Sequence, residues 1–126
     1  MNIPAELRYS TDHEWVRRDG NTVTIGITEF AQDSLGDIVF VEAPEAGRAV
    51  AAGDSFTEVE STKSVSDIYA PVSGSIVTIN GTLDGQPELL NSDPYGEGWI
   101  CTIEMSDPSE FDALLDADGY RALTEG

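Results

Sequence analysis

Residues 58–71 read Glu58-Val59-Glu60-Ser61-Thr62-Lys63-Ser64-Val65-Ser66-Asp67-Ile68-Tyr69-Ala70-Pro71. Phe56 and Val59 before the lysine, and Val65, Ile68 and Tyr69 after it, are apolar and β-forming, with Pro71 closing the run. The spacing predicts a hairpin over about 55–71 with Lys63 at its tip. The tip Ser61-Thr62-Lys63-Ser64 holds none of the Gly, Asn or Asp residues that a tight hairpin turn normally uses. Local rules fail most often where function overrides them. Lys63 is also the only lysine among 126 residues, the other five cations being arginines. It is therefore the one ordinary amine nucleophile besides the N-terminus, and a candidate for acylation. The plainer alternative is an exposed turn that happens to hold an exposed lysine.

Twenty-four acidic residues against six basic ones give a net charge of -18. Such a surface repels phosphate backbones and anionic membranes, so neither nucleic acid nor membrane is an expected partner, whereas basic patches on other proteins are attracted. A chain of this length with 40% apolar residues is expected to form one domain over 1–126. Cys101 is alone in the alternating run Trp99-Ile100-Cys101-Thr102-Ile103 and is expected to be a buried small hydrophobe. One His and one Cys without paired spacing, and no calcium-loop pattern, predict no metal site. The N-terminus lacks a basic segment followed by an apolar core, and no run approaches the length of a membrane span, so a soluble, non-exported chain is expected.

Along the chain, residues 7–18 lead through Asp19-Gly20-Asn21 into the alternating Val23-Thr24-Ile25-Gly26-Ile27, which predicts an antiparallel hairpin with His13 as a packing residue on its first strand. Thr28 is placed to cap a short helix Glu29–Leu35 that Gly36 ends. Asp37–Glu42 reads as a strand. Pro44-x-x-Gly47-x-x-Val50-x-x-Gly53 recurs as Pro71-x-x-Gly74-x-x-Val77-x-x-Asn80, which suggests two similar β-units flanking the Lys63 hairpin, with two sheets packed face to face around a pseudo-twofold axis. Asn91–Gly98 is rich in helix and strand breakers and is expected as a loop delivering Trp99 to the last strand. Ser109 with Phe111, Leu114 and Leu115 predicts a C-terminal helix over about 109–118, ended by Gly119. The fold class is thus mainly β: two small antiparallel sheets, a short internal helix and a C-terminal helix.

The residues do not assemble self-contained catalysis. A Ser-His-Asp site needs its base fixed beside a nucleophile, and His13 sits next to Glu14 and Trp15 with no nucleophile elbow. No glycine run precedes Lys63 to cradle phosphate. What remains is a lone amine on a rigid hairpin, with Glu60 three residues before it and Asp67 four after. That describes a carrier whose attached group has a fixed origin and a free end.

The chain resembles the glycine cleavage system H proteins from about Leu7 to Leu123. The shared motifs are His13-Glu14-Trp15, Ile25-Gly26-Ile27-Thr28 with Ala31-Gln32, Leu35-Gly36-Asp37 with Val39-Phe40-Val41-Glu42, Glu60-Ser61-Thr62-Lys63, Pro71-x-Ser73-Gly74, and Asn91-Ser92-x-Pro94-Tyr95-x-x-Gly98-Trp99. The lysine motif alone also admits lipoyl domains of 2-oxo acid dehydrogenases and biotinyl carriers. Biotinyl domains usually frame their lysine with methionines, and Thr62 and Ser64 stand there instead. The resemblance implies a barrel-sandwich hybrid and lipoic acid in amide linkage to Lys63, with Glu60, Ser61, Thr62 and Ser64 as flanking recognition residues. It implies no catalysis by the chain itself. The implied partners are glycine decarboxylase with pyridoxal phosphate, an aminomethyltransferase using tetrahydrofolate, dihydrolipoyl dehydrogenase, and lipoylating enzymes. Glu14 and Asp67 match cleft positions for the loaded arm, whereas Ser34 stands where some members carry a cleft histidine. The alternative is a lipoyl donor in a relay to 2-oxo acid dehydrogenases, and a third reading is an unmodified interaction module. With no transit peptide at the N-terminus the expected setting is a bacterial cytoplasm, with a processed mitochondrial chain as the alternative.

Overall fold

The computed structural model describes residues 2–125. β1 (Arg8–Tyr9) and β2 (Glu14–Asp19) pair antiparallel, Tyr9 opposite Trp15. The strand expected over 7–18 is therefore broken in the middle. Ser10 causes the break, since its N–H donates to Glu14 O at 2.9 Å and its hydroxyl accepts the Glu14 N–H at 3.0 Å, a local closure that competes with an extended ladder. His13 accordingly sits in the turn at φ 71°, not on a strand as expected.

β3 (Thr22–Ile27) returns along β2 through a turn whose Gly20 takes φ 65°. Gly26 lies opposite Trp15, and a Cβ there would stand 2.6 Å from the indole ring. Only glycine leaves the tryptophan its place. Helix α1 (Glu29–Leu35) follows as expected, with Thr28 Oγ1 accepting the Ala31 N–H at 3.1 Å and Gly36 ending it at φ 83°.

β4 (Ile38–Val41), β5 (Ala49–Val50), β6 (Ser55–Ser61) and β7 (Val65–Tyr69) come next, then β8 (Gly74–Ile79). β9 (Cys101–Met105) is the last strand and begins two residues after Trp99. Two antiparallel sheets result, one of six strands in the order β1-β2-β3-β9-β8-β5 and one of three in the order β4-β6-β7. The inner sides of both share one core, in which Val41, Phe56, Val59 and Ile68 of the smaller sheet cluster with Val16, Ile25, Ile76 and Ile103 of the larger. The architecture is the barrel-sandwich hybrid. Cys101 is fully buried in that core as expected.

The two copies of the repeat are not related by a pseudo-twofold axis between facing sheets; β5 and β8 pair with each other in the larger sheet, Val50 opposite Gly74. Val50 is buried while Val77 is exposed, and Asn80 does not take the positive φ of Gly53. Two single-turn helices come before the breaker-rich segment, α2 (Thr82–Gly85) and α3 (Leu89–Ser92), and send Leu83 and Leu90 into the core; α3 ends on Asn91 and Ser92, and the rest of the segment runs as the expected loop to Trp99. Elements this short carry no periodicity to read.

The single helix expected over 109–118 is two, α4 (Ser109–Asp112) and α5 (Ala117–Glu125). Leu115 is drawn into an isolated bridge with Tyr9, with bonds of 2.8 and 2.9 Å. Asp116 restarts the helix by accepting the Gly119 N–H at 2.8 Å, which places Gly119 inside α5 rather than at an end. A second cluster, Ile3, Leu7, Tyr9, Trp15, Ala117 and Tyr120, docks α5 on β1 and β2.

Candidate functional site

β6 and β7 form the expected hairpin, with Glu60 opposite Val65 and Glu58 opposite Asp67. The tip closes without glycine because Ser61 does the turn's work. Its N–H donates to Ser64 O at 2.8 Å, and its hydroxyl accepts the N–H groups of Lys63 and Ser64, both at 3.1 Å, while donating to Ser64 O at 3.2 Å. This is a serine side chain standing in for a backbone turn. Ser61 is 6% exposed, so its hydroxyl is a pin for the lysine's backbone; Glu60, Thr62 and Ser64 are exposed around it.

The tip is also tied to the chain entering β4. The Thr62 N–H donates to Asp37 O at 3.0 Å. The Lys63 stem lies along Gly36, where a Cβ would come within 3.1 Å of Cε and 3.7 Å of Nζ. Asn91 fixes this corner. Its Oδ1 accepts the Ile38 N–H at 2.8 Å, and its Nδ2 donates to Gly36 O at 2.8 Å and to Gln32 Oε1 at 3.0 Å. Asn91 opens a stretch whose breakers predict a loop, and the only signal for its role in the sequence is its place in the Asn91-Ser92-x-Pro94-Tyr95 motif.

A lipoyl amide fits Lys63. The residue is exposed, and among the described residues the only ion pair is Arg121–Asp118. Neutralising the amine therefore breaks no charge pair and orphans no buried group.

The two candidate cleft carboxylates differ sharply. Asp67 is exposed and accepts from Ser55 Oγ at 3.2 Å. Glu14 is 1% exposed and accepts from Ser10 Oγ at 2.6 Å. Burial pushes its carboxyl up to about 7; the Ser10 bond lowers it in part, Asp12 raises it further, and the Tyr69 backbone amide also favours the ionised form. Tyr69, whose backbone favours the ionised form of Glu14, stands on β7 two residues from Asp67 and so about 7 Å along the strand. Ser34 is exposed near the end of α1.

His13 is the residue whose surroundings the sequence gave least notice of. Its Nδ1 lies 2.8 Å from Tyr120 Oη, which is 2.7 Å from Thr28 Oγ1, the α1 cap. Its ring packs on Phe30 with centroids 4.6 Å apart. Burial lowers the His13 pKa against the pull of Asp12, and burial pushes the Tyr120 hydroxyl up to about 12. The cluster therefore joins α5, α1 and the turn before Glu14 as neutral, hydrogen-bonded groups. Burial likewise pushes the Cys101 thiol up to about 12, leaving it protonated and unreactive. No group of three or more His, Cys, Asp or Glu side chains is placed to hold a metal ion among the described residues, and none of their helices is long and apolar enough to cross a membrane.

A family model described as "Glycine cleavage H-protein" matches residues 7–126. The glycine cleavage system H protein of Symbiobacterium thermophilum is 56% identical over 124 residues, covering 98% of this chain and 97% of the relative. That of Escherichia coli O45:K1 is 58% identical over 125 residues, covering 98% and 97%. The crystal structure of a glycine cleavage system H protein from Mycobacterium marinum superposes with a TM-score of 0.90 at 41% identity, covering 98% of this chain and all of that one.

Proposed function

Because the chain belongs to the glycine cleavage H-protein family, the lipoyl carriers of the glycine cleavage system, we propose that Lys63 carries a lipoyl amide and that the chain shuttles an aminomethyl group on it. In this reading the group comes from glycine decarboxylase and goes to the aminomethyltransferase, dihydrolipoyl dehydrogenase then restores the oxidised arm, and the setting is the cytoplasm. The lipoyl group supplies a dithiolane that opens to accept the aminomethyl unit and closes again on oxidation. The chain supplies position. One observation carries the reading: the only lysine stands exposed, outside any ion pair among the described residues, on a turn that a buried serine side chain pins.

Glu14 and Asp67 supply discrimination between loaded and empty arms. The loaded arm ends in an amine that is cationic near neutral pH, and a buried carboxyl whose ionised form burial disfavours gains most from a cation. A hydrogen bond to a charged group contributes about 1.5–3 kcal/mol when sheltered. Asp67 is the outer contact and the buried Glu14 the inner one. An uncharged empty arm gains nothing from either and is free to visit the next enzyme.

Lys63→Arg tests the reading, since a guanidinium stays protonated and is not acylated. The exposed site predicts a stability change within about 0.5 kcal/mol and no glycine-dependent turnover with the three partner enzymes. Turnover by the variant would overturn the assignment.

A further inference from the structure

Of the asparagines in the chain only Asn80 is followed by glycine; Asn2, Asn21 and Asn91 precede Ile3, Thr22 and Ser92. The fold does not require that glycine. Gly81 takes φ -63° and ψ -18°, a conformation open to any residue, and a Cβ there would meet nothing within 4 Å. Asn80, by contrast, is held by several bonds. Its N–H donates to Ile100 O at 3.0 Å and its carbonyl accepts the Leu83 N–H at 3.2 Å. Its Oδ1 accepts the Thr82 N–H at 3.2 Å, while Nδ2 donates to Glu97 O and to Trp99 O, both at 2.8 Å. One side-chain amide thus joins the end of β8, the start of α2 and the Glu97–Trp99 segment.

The same groups are the parts of an intramolecular acyl transfer. The Gly81 nitrogen closes a five-membered ring when it attacks Asn80 Cγ. Gly81 is exposed, has no side chain to shield that nitrogen, and its N–H donates to no group among the described residues. The Thr82 N–H on Oδ1 is placed to stabilise the negative charge that grows on that oxygen during attack. The leaving nitrogen is the part the fold withholds, because two carbonyl oxygens hold Nδ2 and neither has a proton to give it. We propose that Asn80 is a self-modification site, converted to an aspartyl or isoaspartyl residue by attack of the Gly81 nitrogen when the Glu97–Trp99 segment releases Nδ2. In the step the Gly81 N–H passes its proton to solvent base and the N–Cγ bond forms. The Cγ–Nδ2 bond breaks, and Nδ2 takes a proton from water and leaves as ammonia. Water then opens the resulting succinimide at either carbonyl. Neither product has an amide donor for Glu97 O and Trp99 O, since a carboxylate only accepts, so the segment does not redock as before. Pro94, at the head of the same loop, accepts the Trp15 Nε1–H at 2.8 Å, and Trp99 packs on the Trp15 cluster. The modification therefore loosens the cover over Trp15.

The test incubates the full-length protein in mildly alkaline buffer, folded and in concentrated urea, and follows each asparagine by peptide mass mapping. Position 80 should change before positions 21 and 91 in both states. It should change about twenty-five-fold more slowly in the folded protein, since each of the two Nδ2 bonds shifts the opening by a factor of about five. The folded rate should not depend on urea below the unfolding transition, as for a local opening that exposes little surface. Gly81→Ala, which fits the open space at that position, should fold as wild type does and be modified more slowly in both states. Asn80→Asp, fixed as one product, should let the Gly98 and Trp99 amides exchange about tenfold faster and leave those of Val65–Tyr69 unchanged. Earlier modification at another asparagine, or Gly81→Ala modified as fast as wild type, would overturn the site. Equal rates in folded and urea-unfolded wild type, or a folded rate that climbs with dilute urea, would overturn control by the Glu97–Trp99 segment. Unchanged exchange in Asn80→Asp would overturn the loosening.

Discussion

Replacing Glu14 by glutamine should stabilise the protein at alkaline pH and leave it unchanged in acid. Burial raises the Glu14 carboxyl from 4.5 to about 7 in the folded chain, and unfolding returns it to the ordinary value. Between those values the folded protein holds a proton that the unfolded chain has lost, so stability falls as pH rises through the window. The contribution of this group is fully present below pH 4.5 and gone above about 7. At about 1.4 kcal/mol per pKa unit the loss amounts to about 3 kcal/mol. Glutamine keeps the shape and a carbonyl oxygen but never ionises. The assay is urea denaturation of both proteins at about pH 4 and about pH 8, outside the window on either side. Taking the difference between variant and wild type at each pH cancels the general repulsion among the 24 acidic residues. The two should agree within about 0.5 kcal/mol in acid, and the variant should be more stable by about 3 kcal/mol in alkali. A difference that is the same at both pH values would refute the reasoning, because it would mean that Glu14 titrates alike in the folded and unfolded chains.

Two further outcomes follow from the site's surroundings. Tyr120→Phe removes the hydroxyl that joins His13 to Thr28 and leaves buried polar atoms without that partner, so stability should fall by about 1–3 kcal/mol; a loss below about 0.5 kcal/mol in chemical denaturation would show that the cluster does not hold α5. Asp67→Asn, at an exposed position, should leave folding unchanged but shorten the lifetime of the aminomethyl adduct on fully lipoylated, purified loaded protein at low salt, where a charge effect is largest; equal lifetimes would remove Asp67 from the cleft.

What the sequence made legible lies on strong local signals. The alternation around Lys63, the Thr28 cap with Gly36, and the apolar run through Cys101 each follow one rule, and each element forms as read. The C-terminal helix splits in two because the Leu115 bridge to Tyr9 is a contact 106 residues apart, which no window of sequence contains. Residues such as Ser61, Asn91 and Tyr120 act through single hydrogen bonds to backbone or to distant side chains, and hydrogen-bond partners leave no periodicity. Glu14 was visible as a motif residue, but not as a buried carboxyl; a charged residue opening a strand ordinarily faces water. Its burial is a product of how the two sheets meet.

The central claim is that Lys63 is the lipoylated residue, and tryptic mass mapping of protein isolated from its native source during growth on glycine tests it most directly. Trypsin cuts after Arg48, Lys63 and Arg121, and an acylated lysine is not cut. Lipoylation predicts one peptide, Ala49–Arg121, heavier by a single lipoyl group. Recovery instead of Ala49–Lys63 and Ser64–Arg121, both at their unmodified masses, would contradict the account.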